Sequence, residues 1–224
     1  MNRESTAGTP PDGVGALQMI TLPRPAPGRG ISVQAALRKR RTVRSLSDRK
    51  LPPQMLSNLL WSACGVNRKS APFGTPGRTA ASASNSQEID IYVAREDGAY
   101  LYEPVPHCLT PVAAEDVRVL GIGEGQGEMG ANAPVRLIYV VDINRFSQAG
   151  FQEPGLWDLE TQKAYYYVDT GLIAGNVYLF AASQGLVAWF HNCNKPMLAA
   201  KLKLKRTQRA LFGQTVGYPE KKRD

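Results

Sequence analysis

The sequence has few of the residues that build metal sites and disulfide frameworks. Its 224 residues include three cysteines and two histidines, and their positions offer none of the short spacings typical of a zinc site. Cys64, Cys108 and Cys193 are also too few and too widely separated for a disulfide-stapled fold. We therefore expect no resident metal, and we expect the chain to work in a reducing compartment, the cytoplasm.

Long apolar runs are missing as well. No stretch of about eighteen consecutive apolar residues occurs, although a helix needs roughly that length to span a membrane. The first thirty residues are rich in proline and glycine and contain no continuous apolar segment of the kind found in secretory signals. We expect neither a membrane span nor a secretory signal, and residues 1–30 are predicted to form a flexible N-terminal arm or a strap over the folded part.

Acidic residues are outnumbered by basic ones, 19 against 27, which gives a net charge of +8 at pH 7. The basic residues cluster within 38–50, 201–206 and 221–223. Such clusters suit a phosphate ligand, a nucleic acid or an ordinary charged surface. RNA-binding modules usually interleave aromatic and basic residues on strands, whereas the tyrosines here crowd onto a long apolar stretch and a predicted hairpin. We expect no nucleic acid as partner, and a basic nucleic-acid-binding domain stays a remote alternative.

Helical and strand-like periodicities are mixed along the single domain predicted for residues 31–224. The first helix begins after Ser32, the second opens at Pro52–Pro53, and two more are predicted at 160–183 and 196–204. Predicted strands are 89–93, 99–103, 136–142, 186–190 and 209–216, and residues 104–133 are predicted to be irregular or weakly helical. The mixture, with one hairpin, predicts an α+β fold rather than a strictly alternating parallel one.

The stretch 160–183 would carry apolar side chains nearly all the way round a helix. A helix of that kind is buried, either in a large core or at a subunit interface. If it were exposed on a single chain, its apolar surface would favour association. Because this helix is too apolar all round for the surface of a monomer, the sequence predicts an obligate dimer.

Residues 125–130 match the letters of the dinucleotide-binding motif GxGxxG. That motif works only with a strand before it and a helix after it, so that the helix N-terminus meets the pyrophosphate. Here residues 132–134 lead into a strand instead. The match therefore predicts a mobile surface loop and not a Rossmann site.

Two other short segments have ligand-binding chemistry. Arg40, Arg41, Thr42 and Arg44 form a compact set in which guanidinium groups and a hydroxyl can hold a dianionic phosphate; a solvated, dipole-stabilising helix end is the alternative. Residues 82–87, with the sequence SASNSQ, combine small side chains with amides just before a strand. Small residues permit close approach to a flat ligand, and amides can bind ring heteroatoms; an ordinary polar loop is the alternative.

Taken in order, these segments resemble the nitroreductase family, and in particular short stand-alone relatives of its SagB-type dehydrogenases. The resemblance runs from about residue 33 to 219. Its parts are RKRRTVRSLSD, LSNLLWSACGVNR, GRTAASASNSQEIDIYVAREDGAYLYEP, DTGLIAGNVYLFAASQGL and GQTVGYPEK. It implies a central mixed, mainly antiparallel sheet flanked by helices, an intertwined homodimer, and FMN at the subunit interface.

The resemblance also implies roles for individual residues. Those that would hold the FMN phosphate and ribityl chain are Arg40, Arg41, Thr42 and Arg44. Those that would approach the same flavin from the other subunit are Ser82, Ala83 and Asn85. Phe190, His191 and Asn192 would lie near its reactive N5 edge, and the C-terminal basic residues Lys222 and Arg223 would reach the phosphate.

The implied activity is a ping-pong reaction in which NAD(P)H reduces FMN and a nitroaromatic, quinone or similar acceptor then takes the electrons. Because the flavin performs the hydride transfer, no catalytic acid–base pair is required of the protein. The alternative is a SagB-type dehydrogenase that oxidises a heterocycle in a peptide-like substrate. Ala81, where a proline is common, and the segment 190–192 depart from the family pattern, and segments 121–132 and 145–159 are individual to this chain.

Overall fold

A computed structural model describes residues 17–26, 28, 30–71, 74–123, 130 and 133–220. The helices are α1 (Val33–Lys39), α2 (Pro53–Cys64), α3 (Leu159–Ser183) and α4 (Lys195–Lys201). The strands are β1 (Ile20–Thr21), β2 (Val66–Arg68), β3 (Gly77–Arg78), β4 (Ile89–Arg95), β5 (Gly98–Glu103), β6 (Cys108–Ala113), β7 (Val135–Asp142), β8 (Val187–His191) and β9 (Gln208–Gly217). Within these described residues, no helix is both long and apolar enough to span a membrane.

Seven of the strands form one sheet in the order β1-β6-β5-β4-β7-β9-β8. All six neighbouring pairs are antiparallel, and β2 and β3 form a separate hairpin. The sequence-based prediction of an α+β fold with a mainly antiparallel sheet and flanking helices is confirmed.

Local signals in the sequence explain where the helices begin. The Ser32 side chain accepts a hydrogen bond from the Ala35 amide (3.3 Å) at the start of α1, and Pro53 occupies the first position of α2, where a missing N–H costs nothing. The Asp158 carboxylate caps α3 by accepting from the Thr161 amide at 2.7 Å. The predicted starts of these helices are therefore confirmed to within a few residues.

The core lies on both faces of the sheet. On one face, α2 and α3 pack over the central strands, with Leu59 and Val177 fully buried against Leu137. On the other face, a smaller cluster joins Leu198 of α4 to Ile138 of β7. Burial on both sides explains why β4 and β7 are apolar almost throughout instead of alternating.

Helix α3 is buried along one side only. Ile173 and Val177 are in the core, whereas Val168 and Leu172 are 60% and 45% exposed, and Cβ atoms built on Gly171 and Gly175 would meet nothing within 4 Å. An apolar stripe with two glycines therefore runs along the outer side of the helix in a single chain.

The prediction of irregular structure across 104–133 is wrong for β6, which pairs with β5 on one side and β1 on the other. The sequence pattern of a strand was hidden in β6 because it contains Pro111, a residue that is rare within sheets. The proline is tolerated there because the neighbouring strand β1 is only two residues long. The segment that follows β1 lies against α2, where the Ser57 hydroxyl donates to the Pro23 carbonyl at 2.5 Å. Most of the predicted 125–130 loop lies outside the described residues.

Candidate functional site

The segment that follows α1 lies along the outer edge of β8. Thr42 forms a parallel bridge with Ala188, and the Val43 amide donates to the Ala188 carbonyl at 3.1 Å. Because β8 is the last strand of the sheet, this bridge covers part of its open edge. The arginine-rich motif predicted to bind a phosphate is thereby fixed next to the segment predicted to lie at the reactive part of a flavin.

Tyr178 of α3 connects these two segments. Its hydroxyl accepts from the Phe190 amide at 2.8 Å and shares a hydrogen bond with the Thr42 hydroxyl at 3.1 Å. The Arg40 guanidinium carbon lies 5.5 Å from the centre of the same ring, within the range of a cation–π interaction. Sequence reasoning missed Tyr178 because one tyrosine among several on an apolar helix gives no sign that its hydroxyl binds two other segments.

The cations of the motif are open to solvent and have no acidic partner. Arg40, Arg41 and Arg44 are all exposed, and none of them forms an ion pair within the described ranges. Arg44 lies over the Trp189 ring, 5.3 Å from its centre. Exposed guanidinium groups supported by aromatic rings, beside the exposed hydroxyl of Thr42, are suited to binding an anion.

The motif does not gather all its cations on one side of β8. Trp189 and His191 stack on each other with centroids 4.5 Å apart, on the face opposite Phe190, which packs on Tyr139 and Phe212. Arg40 and Thr42 therefore contact the α3 side of the edge, whereas Arg44 contacts a ring on the other side.

His191 is held inside the protein. Its Nε2 lies 2.8 Å from the Thr215 hydroxyl, and Nδ1 lies 2.9 Å from the Asn192 carbonyl. Burial lowers the pKa of His191 to about 4, so the ring is neutral at pH 7. Phe190 is half-buried and Asn192 is exposed; of the three residues predicted near the flavin, only His191 has its side chain in the interior.

The loop 82–87 contacts α3 at a point nearer to the N-terminus of the helix than Tyr178. The Ala83 amide donates to the Asp169 carboxylate at 2.8 Å, and the Ser82 hydroxyl accepts from the Gln87 amide at 3.0 Å. The Asn85 amide group contacts Thr75 through its nitrogen and accepts from Gln87 at 3.0 Å. One N–H and one lone pair of Asn85 remain for a ligand.

The backbone of this loop is strained. Ser84, Asn85 and Gln87 have φ values of 50°, 53° and 50°, in the left-handed region that residues other than glycine rarely adopt. The hydrogen bonds of the loop hold this conformation in place. Such backbone strain is concentrated at functional sites, which supports a ligand-binding interpretation over an ordinary polar loop.

A buried acidic pair lies beneath the loop. Glu88 is fully buried and Asp169 is 4% exposed, and the Ser86 hydroxyl donates to Glu88 at 2.6 Å. Burial, and next the neighbouring Asp169 carboxylate, raise the pKa of Glu88 to about 8; burial also raises the pKa of Asp169. The pair therefore holds a proton at neutral pH. Sequence reasoning missed it because the two residues are far apart along the chain.

Within one chain, the arginine motif and the loop 82–87 do not meet. The motif contacts α3 at Tyr178 and the loop contacts it at Asp169, nine positions earlier, which is about 14 Å along a helix. No hydrogen bond or ion pair joins the two segments among the residues that the structure describes. Lys222 and Arg223, predicted to reach the phosphate, lie outside those residues.

Comparisons with known proteins identify the family and the fold. The model of the Nitroreductase family matches residues 37–218. A "putative nitroreductase" of Methanocaldococcus jannaschii is 29% identical over 167 residues, which are 70% of this chain and 76% of that protein. A crystal structure of another protein so described, from Ralstonia eutropha JMP134, is 32% identical with a TM-score of 0.81 and covers 96% of this chain and 97% of its own.

A more distant likeness is one of fold alone. A chain of the Escherichia coli microcin synthetase McbBCD complex, solved with truncated pro-MccB17 bound, is 18% identical with a TM-score of 0.64. It covers 98% of this chain, and 85% of that chain is matched. Because the family model spans most of the sequence, including the arginine motif, the long helix and the last strand, this chain belongs to the nitroreductase family, and it is an oxidoreductase of the flavin type.

Proposed function

We propose that the protein is an FMN-dependent oxidoreductase that transfers hydride from NAD(P)H through flavin to a nitroaromatic, quinone or similar acceptor, by a ping-pong mechanism. The observation that carries this proposal is a set of exposed guanidinium groups beside β8, which form no ion pair with any residue that the structure describes. Thr42 and Tyr178 fix this set in place. Family membership supports flavin chemistry, and we assign the phosphate of the flavin to these exposed cations.

The residues of this edge fit the phosphate and ribityl parts of FMN. Arg40, Arg41 and Arg44 offer donors that no carboxylate uses within the described ranges, and Thr42 adds a hydroxyl that can bind a phosphate or a ribityl oxygen. A Rossmann-type site for a tightly held dinucleotide would need a glycine-rich turn between a strand and a helix, whereas the GxGxxG letters at 125–130 are followed in the sequence by strand β7. We assign Lys222 and Arg223 to the same phosphate on the family resemblance.

Bound FMN would supply the hydride and electron transfer itself. The protein would position the ring: Phe190 and Phe212 form an aromatic wall with centroids 4.8 Å apart, and Asn192 is exposed beside it. His191 stays neutral and hydrogen-bonded to Thr215 over the physiological pH range, so its role is to hold the end of β8 in place.

We also propose that the working unit is a homodimer. The apolar outer stripe of α3 is left uncovered in one chain, and its two glycines would let a second backbone approach closely. The loop 82–87 of one chain lies too far along α3 to serve the arginine motif of that chain, so we assign Ser82, Ala83 and Asn85 to the flavin bound by the partner subunit. A stable monomer at micromolar concentration in light scattering would contradict this assignment.

Steady-state kinetics tests the proposed reaction. Initial rates with NADH or NADPH and a quinone acceptor should give parallel double-reciprocal lines, because the oxidised nicotinamide leaves before the acceptor enters. Anaerobic mixing should show the flavin absorbance lost on adding nicotinamide and restored on adding quinone. Converging lines, or a flavin that no nicotinamide reduces, would contradict the proposal.

The alternative, a SagB-type dehydrogenase acting on a heterocycle in a peptide-like substrate, has only the likeness of fold to the McbBCD chain in its favour. It makes a different prediction for the same experiment. Its flavin would accept electrons from the heterocycle, and reduced nicotinamide would leave the flavin oxidised.

A further inference from the structure

The loop 82–87 is held in place by two buried carboxyl groups. Asp169 of α3 accepts a hydrogen bond from the Ala83 amide through one oxygen, at 2.8 Å. Glu88, which follows the loop, accepts from the Ser86 hydroxyl through one oxygen, at 2.6 Å. Each acid therefore uses one oxygen to bind the loop and has a second oxygen that faces the interior.

The second oxygen of Glu88 lies where a shared proton would satisfy it. Among the described residues, Glu88 Oε1 is buried and accepts no hydrogen bond, while the Asp169 carboxyl group lies within hydrogen-bonding reach of Glu88. The cavity that both acids line measures about 10 Å³, the lower limit of the space that a water molecule needs. Two ionised carboxylates can only accept, so one proton between them converts their contact into a hydrogen bond.

No cation neutralises the two acids in the part of the chain that the structure describes. Arg78 lines the same cavity, but it donates to the Gln87 side chain at 2.7 Å and forms no ion pair. Arg145 is paired with Asp90 at 2.6 Å. Cys64 also lines the cavity, and burial raises the pKa of its thiol to about 11, so the thiol is neutral at physiological pH. Loss of the shared proton would therefore leave two like charges together in the interior.

The loop needs these contacts because its backbone conformation is unfavourable. Ser84, Asn85 and Gln87 all have positive φ, which residues other than glycine rarely adopt. Outside the acidic pair, Glu153 also holds the loop by accepting from the Ser84 hydroxyl at 2.9 Å and from the Tyr165 hydroxyl at 3.2 Å. If the pair stopped binding the loop, the loop would open locally while the sheet stayed folded.

We propose that Glu88 and Asp169 form a proton switch: with one shared proton they hold the loop 82–87 in its strained conformation, and without that proton they release it. The consequence for the cofactor rests on the proposed function, in which this loop contacts the flavin bound by the partner subunit. Glu88 and Asp169 are then positioning residues, which act on the flavin through the loop.

The direction of the pH dependence follows from where the proton binds more tightly. The closed loop keeps the pair buried and holds the proton, whereas an open loop exposes the acids to water. Closure is therefore complete at low pH and weakens as pH rises toward the raised pKa of Glu88, about 8.

Hydrogen exchange of the loop amides, measured on the flavin-free protein, tests the switch. The amides of the closed loop that donate hydrogen bonds are those of Ala83, Asn85, Ser86 and Gln87. The reference at each pH is Glu88→Gln, whose amide can both accept from Ser86 and donate to Asp169 without a titrating proton. Base catalysis of exchange is the same in both proteins, so the ratio of their rates isolates loop opening.

The ratio of the rate in the unaltered protein to the rate in Glu88→Gln should rise at least about tenfold between about pH 5.5 and 8.5. The matched control is the same comparison made in a Glu153→Gln background, which removes a carboxylate that binds the loop outside the pair. The rise should persist there. A ratio that stays constant, a rise that Glu153→Gln abolishes, or loop amides that exchange no faster than those of β7 at pH 8.5 would overturn the switch.

Adding FMN distinguishes the switch from the proposed function. Saturating FMN should slow exchange of the same amides at pH 8.5 at least about tenfold, because a ligand that contacts only the closed loop suppresses its opening. If the loop shows pH-dependent release and gains no protection from FMN, the switch stands and the assignment of the loop to the flavin fails. If FMN protects the loop and the rate ratio is independent of pH, the proposed function stands and the switch is wrong.

Discussion

The buried Arg136 and the exposed Arg40 and Arg44 have opposite surroundings: Arg136 lies on the inner strand β7, whereas Arg40 and Arg44 lie beside the edge strand β8. Arg136 of β7 is fully buried; its Nε donates to the Thr215 hydroxyl at 2.9 Å, and its two terminal nitrogens donate to the carbonyls of Arg118 and Gly130. Arg40 and Arg44 are exposed and lie on aromatic rings. The first arginine uses its donors to hold the protein together, and the other two keep theirs for a ligand.

The burial of Arg136 carries an electrostatic cost. Desolvation, and next the nearby Arg118, lower the pKa of Arg136 to about 10, which still leaves it charged at neutral pH. The cost is offset because the guanidinium fixes the ends of the segment 118–130 against β9. The comparison predicts that changes to Arg136 act on folding, and that changes to Arg40 and Arg44 act on cofactor binding.

The largest effect is expected from replacing Arg40 and Arg44 together by alanine. Each contact to a phosphate contributes about 1.5–3 kcal/mol, so FMN affinity should fall at least about a hundredfold. The protein should stay folded by circular dichroism. Flavin fluorescence titration measures the affinity. The control is Arg38→Ala with Lys39→Ala, which removes the same charge from the last turn of α1. Unchanged affinity in the Arg40, Arg44 variant would show that the motif is an ordinary helix end.

Arg136→Ala should have the reverse effect. It leaves a cavity and removes the donors from two partly buried carbonyls, so the free energy of unfolding should fall by about 3 kcal/mol. Chemical denaturation of the flavin-free protein measures this. The flavin affinity of the molecules that remain folded should change little. An Arg136→Ala protein with normal stability and no bound flavin would contradict the distinction between buried Arg136 and the exposed Arg40 and Arg44.

Asn85→Ala tests whether the ligand-binding set includes residues of the second chain. Loss of one buried contact costs about 1–3 kcal/mol, a five- to hundredfold loss of FMN affinity. An Arg40→Ala, Arg44→Ala chain mixed with an Asn85→Ala chain should regain one intact site in each heterodimer. If subunit exchange occurs and no tight site returns, the loop serves its own chain or Asn85 has no flavin role.

The smallest effect at neutral pH is expected from a change to Glu88. This buried acid is protonated at neutral pH, whereas the buried Arg136 remains charged. The pKa of Glu88 is raised in the folded protein, from 4.5 to about 8, so the folded state binds the proton more tightly. The resulting stability is complete below the unfolded pKa and is lost as pH rises through the folded value. Glu88→Gln, which mimics the protonated acid, should flatten this dependence, because the folded protein then binds no extra proton at this position. Denaturation midpoints at low and high pH check it; identical slopes in both proteins would contradict it.

The elements that follow from periodicity and turn chemistry were predictable from the sequence. Examples are the hairpin between β4 and β5, which turns at residues 95–98, and the long helix α3 with its apolar surface. Strand β6 was not, because its proline and its short neighbour hide the pattern. The separate hairpin of β2 and β3 lies in a segment whose composition is that of a loop.

The candidate site was predictable from the sequence only where its polar residues are close together in one segment. The arginine motif and the loop 82–87 are local, and both could be identified as polar sets. The hydrogen bonds of Tyr178 to Thr42 and Phe190 join residues 136 and 12 positions apart. The contact of Glu88 with Asp169 likewise joins distant parts of the chain. Side chains alternate along β8, so Phe190 and His191 lie on opposite faces of the sheet. The resemblance treats residues 190–192 as one segment and could not specify this difference.

The measurement that tests the central claim most directly is the visible absorbance spectrum of the purified protein, taken before and after anaerobic addition of NADH or NADPH. We predict the spectrum of a bound flavin, released by denaturation as one FMN for each chain, and its loss on reduction by at least one of the two nicotinamides. A colourless protein that does not take up added FMN, and that instead binds nucleic acid in a salt-sensitive manner, would contradict the account.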